Sequence, residues 1–261
     1  MKLLIIAFCV NVAHGSSVIS SKPCSNPIEE WCSSEEIAKK CQVLDACLAL
    51  NRLNTAEAVA IDLYFESLCP GCRAFLTGQL WPTFKALGKD IINISLVPYG
   101  NAQQTLDHAS GMWKFTCQHG GSECVGNIIE TCAIVMYKDI EKYFPFVHCL
   151  ESSSDVASSG ERVSSYNFSV QFNLLLLIKC ANLTGLDWGK ISTCATGADG
   201  NTLEHLMGLK TQQLNPPHEY VPWIVVQGSH TDELQNKAQR DLKSLVCSLY
   251  KGSKPESCTQ A

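Results

Sequence analysis

The chain has 261 residues, with 46% hydrophobic and 17% charged residues, which is ample material for a packed core and excludes general disorder. A net charge of −5 is wrong for gripping nucleic acid, which needs a basic face. Fifteen cysteines are far too many for an ordinary cytosolic enzyme and point to an oxidising, secretory route.

The first element supports that route. Lys2, the apolar run 3–10 and Ala13-His14-Gly15 read as a signal peptide, residues 1–15, cleaved after Gly15. Its removal takes Cys9 with it and leaves an even number of cysteines, as disulfide pairing requires. No later stretch is apolar over the roughly 20 residues that a membrane span needs; the run Leu174–Ile178 is far shorter. Three sequons begin at Asn93, Asn167 and Asn182, and each is a candidate glycosylation site on a secreted chain.

Residues 16–55 contain Cys24, Cys32, Cys41 and Cys47. Ser33 and Ser34 offer caps to a helix with Ile37, Cys41 and Leu44 on one face. So short a segment cannot bury a self-sufficient core and needs disulfides. The cysteine spacing, with Trp31 just before Cys32, resembles a saposin A-type segment, although the usual Gly before Pro27 is missing. An unrelated disulfide-stapled propeptide is the alternative.

A linker at 51–58 precedes the main domain, residues 56–250. Val59, Ile61, Leu63 and Phe65 alternate as in a strand, which runs into Cys69-Pro70-Gly71-Cys72. Phe75, Leu76, Leu80, Phe84 and Leu87 then have helical spacing, with a kink expected at Pro82. Ile92, Ile94 and Leu96 mark a second strand, so this is a βαβ unit with parallel strands. Residues 112–213 have mostly helical spacing and hold Cys117, Cys124, Cys132, Cys149, Cys180 and Cys194. Ile128, Cys132 and Val135 suggest one helix; Leu203, Leu206 and Leu209 suggest another. The Ser-rich stretch 152–165 reads as a loop. Val221-Pro222 opens a short apolar strand, and a last helix follows from Thr231 to Tyr250 with Cys247. Residues 251–261, with Cys258, read as a separable tail.

A CxxC between strand and helix carries redox chemistry. The first cysteine sits where unpaired backbone N–H groups favour an anion, which lowers its pKa. Cys69 is therefore the expected nucleophile on a substrate disulfide, and Cys72 the resolving thiol that leaves a Cys69–Cys72 disulfide. The order of elements suits a thioredoxin-type fold, in which a cis-proline faces the CxxC; Pro222, preceded by Val221, is placed for that supporting role. Cys117, Cys124 and Cys132, with His119 nearby, lack the usual zinc spacing and are better read as disulfide cysteines. No metal and no cofactor is expected. The pairing of the twelve cysteines outside the CxxC stays open.

The run Cys117-Gln118-His119-Gly120-Gly121-Ser122-Glu123-Cys124-Val125-Gly126-Asn127-Ile128-Ile129-Glu130-Thr131-Cys132 resembles the signature of the gamma-interferon-inducible lysosomal thiol reductase family at every fixed position of CQHGxxECxxNxxxxC. The stretches 97–102 and 216–223 are also similar. Residues 163–178 depart from the family, and the Cys-Pro-Gly-Cys motif replaces a more common Gly-Gly pair between the cysteines. The resemblance implies an α/β, disulfide-rich, thioredoxin-like fold with a helical insertion in a DsbA-like arrangement. It implies reduction of disulfide-bonded proteins at acidic pH in the lysosome or late endosome, in aid of antigen processing for class II presentation. A small thiol is the implied electron donor, and a partly secreted precursor, including a disulfide-linked dimer, the implied early form. A secretory-pathway oxidase or isomerase, and a non-catalytic saposin-like binding protein, are the rival readings.

Overall fold

The computed structural model describes residues 24–54, 56–153 and 174–259. The expected signal peptide, the Asn167 sequon and most of the Ser-rich loop lie outside them. The chain divides into two compact units, one ending at Thr55 and one starting at Ala56.

The first unit has two short helices, α1 (Glu35–Lys40) and α2 (Leu44–Asn54). Ser34 caps α1 by accepting the Ile37 N–H at 3.2 Å, which satisfies one of the free donors of its first turn. Of the side chains described here, only Ala38 and Cys47 are buried. Cohesion therefore falls to the Cys24–Cys41 and Cys32–Cys47 disulfides, as the length of the segment requires.

The second unit is a thioredoxin-like fold. Strand β1 (Val59–Phe65) pairs in parallel with β2 (Ile92–Pro98) and antiparallel with β3 (Trp223–Val226), giving the order β2-β1-β3. Between β1 and β2 the chain forms α3 (Pro70–Phe75), a π-helical turn (Leu76–Leu80) and α4 (Trp81–Leu87). The kink expected at Pro82 is realised as this wider turn, which accommodates a residue that has no N–H to donate. The final helix, α10 (Asp232–Leu249), packs on the same side, and its break at Asp241 is spliced by Gln79: Leu242 N–H donates to Gln79 Oε1 at 3.1 Å. Val59, Ile61, Leu63, Phe65, Leu76, Leu80, Ile92, Leu242 and Val246 form the core between sheet and helices.

After β2 comes a hairpin of β4 (Gln103–Asp107) and β5 (Met112–Thr116), which the periodicity of 112–213 does not reveal. The insertion then runs through α5 (Gly121–Tyr137), α6 (Ile140–Glu151), α7 (Leu174–Thr184), α8 (Trp188–Thr196) and α9 (Ala198–Gln212). The Cys132–Cys194 and Cys149–Cys180 disulfides tie α5 to α8 and α6 to α7. Helix α9 does not bury the leucines that suggest it: Leu206 and Leu209 are exposed, and Gly200, Glu204, Gly208 and Thr211 face inward. A Cβ at Gly208 would stand 2.7 Å from the Tyr99 ring, so glycine permits the close approach. Asn201 donates to the Trp113 carbonyl and accepts its N–H, at 2.7 and 2.8 Å, fastening the hairpin to α9.

The C-terminal tail is cross-linked to the last helix. Cys258 is bonded to Cys247 of α10 and packs against the main core.

Candidate active site

Cys69 is the N-cap of α3 and Pro70 its first residue. Proline there gives up an N–H that has no helical partner in any case, and its fixed φ starts the helix. Cys69 and Cys72 are the two cysteines without a disulfide partner among the described residues. Cys72 is fully buried; Cys69 is 8% exposed, more enclosed than its position at a helix start suggests. Pro70 and Gly71 between them are exposed.

The two thiols are driven apart electrostatically. The Cys69 thiol is lowered to about 6, chiefly by a hydrogen bond from Cys72, which outweighs burial; the backbone N–H groups of Cys72 and Gly71 and the charge of His119 add to this. Cys72 is pushed far upward by burial, by its role as donor to Cys69, and by the charge of Cys69. Above about pH 6 one sulfur is thus mostly a thiolate while the other stays a thiol, which is the division of labour that exchange chemistry needs.

Val221-Pro222 lies against this pair. The Val221–Pro222 peptide is cis, and the Val221 carbonyl oxygen is 4.0 Å from Cys69 Sγ. A Cβ at Gly71 would stand 3.4 Å from Pro222 Cδ, so the small residue lets the proline sit close. Gln235 of α10 holds the segment: its Nε2 donates to the Pro222 carbonyl at 2.9 Å, and its Oε1 accepts from Ile224 N–H at 3.0 Å.

The signature around α5 supports the same loop. Cys117–Cys124 closes the turn before the helix. Asn127 Oδ1 accepts the Ser67 N–H at 2.9 Å, and Ser67 Oγ donates to the Glu123 carbonyl at 3.1 Å. Gln118 accepts from Asn101 Nδ2 at 2.7 Å. Glu123 accepts the His119 N–H at 2.9 Å through Oε1, and its Oε2 lies 2.5 Å from His119 Nδ1. His119 is therefore a hydrogen-bonded, partly exposed residue.

Sequence reasoning did not single out the buried acids around the cysteines. Glu66, Glu123, Glu130, Glu151 and Glu204 are all essentially without exposed surface. Burial, followed by the charge of Glu123, raises Glu66 to about 7. Burial also raises Glu130 and Glu151, which lie within hydrogen-bonding reach of each other, a contact that two carboxyls make only when one is protonated; Arg73, next to Cys72, opposes both shifts. Glu204 is likewise raised by burial and accepts from Thr131 Oγ1 at 2.9 Å. The available signal was a glutamate ending an apolar strand. Ligand-type atoms of Glu66, His119 and Glu123 lie within 4.8 Å of one another. Their own hydrogen bonds, and that from Asn101 N–H to Glu66 Oε1, close this cluster except at Glu66 Oε2.

Asn93 on β2 and Asn182 on α7 are exposed. No described helix is long and apolar enough to cross a membrane.

The family model described as gamma interferon inducible lysosomal thiol reductase matches residues 60–165. The chain is 44% identical over 259 residues to the gamma-interferon-inducible lysosomal thiol reductase of Carassius auratus, covering 99% of this chain and 94% of the relative. It is 35% identical over 262 residues to the Mus musculus protein of the same name, covering 99% and 92%. Among solved structures, oxidised BdbD of Bacillus subtilis aligns with a TM-score of 0.48 at 14% identity, over 74% of this chain and 94% of that one.

Proposed function

Because the chain belongs to the gamma interferon inducible lysosomal thiol reductase family and is a thiol–disulfide oxidoreductase, we propose that Cys69 and Cys72 carry its exchange reaction at acidic pH. The observation that carries this reading is the opposed electrostatics of two adjacent unpaired thiols, one lowered to about 6 and the other held up by burial. Cys69 thiolate attacks one sulfur of a substrate disulfide, and the other substrate sulfur leaves as a thiol after protonation. Cys72 then loses its proton and attacks Cys69 of the mixed disulfide. The products are a reduced substrate and a Cys69–Cys72 disulfide. Pro222 and the Val221 carbonyl form the wall against which the substrate sulfur approaches.

The substrates in this reading are disulfide-bonded proteins undergoing degradation in the lysosome or late endosome, with antigen processing as the biological setting. A small thiol recharges the enzyme. The names of the relatives and the depressed Cys69 thiol support the acidic address. Residues 1–15 act as the signal peptide, and 16–55 as a saposin A-type segment removed on maturation; the boundary between the compact units at Thr55 and Ala56 supports a cut there. Part of the precursor is secreted, including a disulfide-linked dimer. Exposed Asn93 and Asn182 carry glycans in this reading, and Asn167 is a further acceptor.

The test is reduction of a disulfide-bonded protein by the mature fragment across pH 4.5–7.5, a window of about three units. Sustained turnover near pH 5 that is abolished by Cys69→Ser supports the reading. Activity confined to neutral pH would favour a secretory oxidase or isomerase, and no turnover a binding protein.

A further inference from the structure

The end of β1 carries a buried acid for which the exchange reaction above has no use. Glu66 has no exposed surface. Its Oε1 accepts the Asn101 N–H at 2.7 Å, and a side chain at Gly100, where φ is +58°, would collide with it. Its Oε2 has no hydrogen-bond partner and lies 3.5 Å from His119 Nδ1. That nitrogen is already 2.5 Å from Glu123 Oε2. One imidazole thus faces two buried acids.

The other titratable groups around this point come from each neighbouring element. Cys69 and Cys72 sit at the start of α3, and the Cys69 charge acts on Glu66 directly. Glu151 of α6 also feels Cys69, with Arg73 opposing and Glu130 of α5 reinforcing. His218 reaches the Gly100 carbonyl beside the Glu66 carboxyl.

Charge counting identifies what is missing. Reducing a Cys69–Cys72 disulfide brings two electrons into this enclosed space. A proton on Cys72 compensates one negative charge. Above about pH 6 the other stays on Cys69, close to the Glu66 carboxyl, which Glu123 and a single imidazole also face. Glu66 Oε2, buried and without a partner, is the place left for a second proton.

We propose that Glu66 is the second proton acceptor of the redox centre, taking up a proton at Oε2 whenever the Cys69–Cys72 disulfide is reduced. This rests on the reading of Cys69 and Cys72 as the redox pair. Two equivalents of a small thiol supply two electrons and two protons and leave as their own disulfide. The Cys69–Cys72 bond breaks to give a Cys69 thiolate, a Cys72 thiol and a Glu66 carboxylic acid, so the net charge of the site does not change. Burial and the charge of Glu123 hold Glu66 up at about 7, and the Cys69 thiolate adds to them; without the thiolate, in the disulfide state, Glu66 ionises at lower pH. Between those two values reduction takes up the additional proton. The enzyme then matches a small-thiol donor proton for proton, and acidification does not work against its recharging.

The experiment is the equilibrium of the reduced and oxidised protein with glutathione mixtures between pH 6 and 7.5, a window set by the shifts at Cys69 and Glu66. In the wild type, the constant for reduction by glutathione should be nearly flat below pH 7. In Glu66→Gln, which keeps the Oε1 acceptor for Asn101 N–H, it should fall by up to about tenfold per pH unit of acidification, because one proton fewer is bound. Glu123→Gln, a second variant that leaves Glu66 in place, should move the flat region to lower pH by removing the charge that raises Glu66. A Glu66→Gln profile as flat as the wild type, or a Glu123→Gln profile that does not move, would overturn the proposal. Peptide mapping of each mixture separates the underlying reading: no Cys69–Cys72 disulfide in any of them would show that the pair itself is misassigned.

Discussion

The Ser67 backbone N–H donates to Asn127 Oδ1 at 2.9 Å, and together with the bond from Ser67 Oγ to the Glu123 carbonyl it joins the loop that presents Cys69 to the signature helix sixty residues later in the chain. Both residues are buried, so no water replaces the bond if it is lost. Asn127→Leu should lower stability by about 1–3 kcal/mol, the cost of a buried donor left without an acceptor. Urea denaturation measures this. Turnover should fall as well, because the Cys69 loop loses one of its two bonds to the helix; unchanged stability and turnover would show that the bond is dispensable.

The two cysteines should separate by role. Cys69→Ser removes the attacking thiolate and should abolish exchange. Cys72→Ser leaves attack intact and blocks resolution, so a mixed disulfide with the substrate should accumulate. Non-reducing gels at acidic pH should show a reducible high-mass adduct for Cys72→Ser alone. An adduct only with Cys69→Ser would reverse the assignment.

Acid reactivity follows from the Cys69 shift. With its thiol at about 6, roughly a tenth of Cys69 is thiolate at pH 5, against about 0.03% for an ordinary thiol. The sign is set by deprotonation: alkylation should rise with pH through about 6 and level off above it. Iodoacetamide labelling of the reduced protein, read by mass spectrometry, should place the midpoint there. A midpoint near 8.5, the ordinary thiol value, would contradict it.

The tail gives a fourth expectation. Proteolysis between Lys251 and Pro255 should leave the Cys258 peptide attached through Cys247 until a reductant is added. Intact mass before and after reduction tests this. Cys258→Ser should cost about 2–4 kcal/mol, because the cross-link no longer restricts the unfolded chain.

Much of this was legible in the sequence. The alternation 59–65, the CxxC and the Val221-Pro222 strand located β1, α3 and the segment facing the cysteines, because those elements follow short-range periodicity. The hairpin β4–β5 was not legible: Leu106 and Trp113 pair across a turn in strands that are never fully buried, so their pattern lacks a strict period of two. Helix α9 was placed by its leucines, yet its inner face is Gly200, Glu204, Gly208 and Thr211, a face that hydrophobic spacing cannot detect. Gln235, Glu66 and Asn127 act through contacts across more than ten residues of chain, so only the fold brings their roles together.

A protein that opens disulfides also carries six of its own among the described residues, and their burial ranks them as targets. Cys132 and Cys180 have no exposed surface, so an incoming thiolate can line up behind the sulfur–sulfur bonds that staple the helical insertion only from the side of their partly buried partners, Cys194 and Cys149. Cys24–Cys41 has neither partner buried, and it lies in the unit before Ala56. Under a rising thiol concentration the Cys24–Cys41 bond of the amino-terminal module should therefore open before the disulfides of the unit that starts at Ala56.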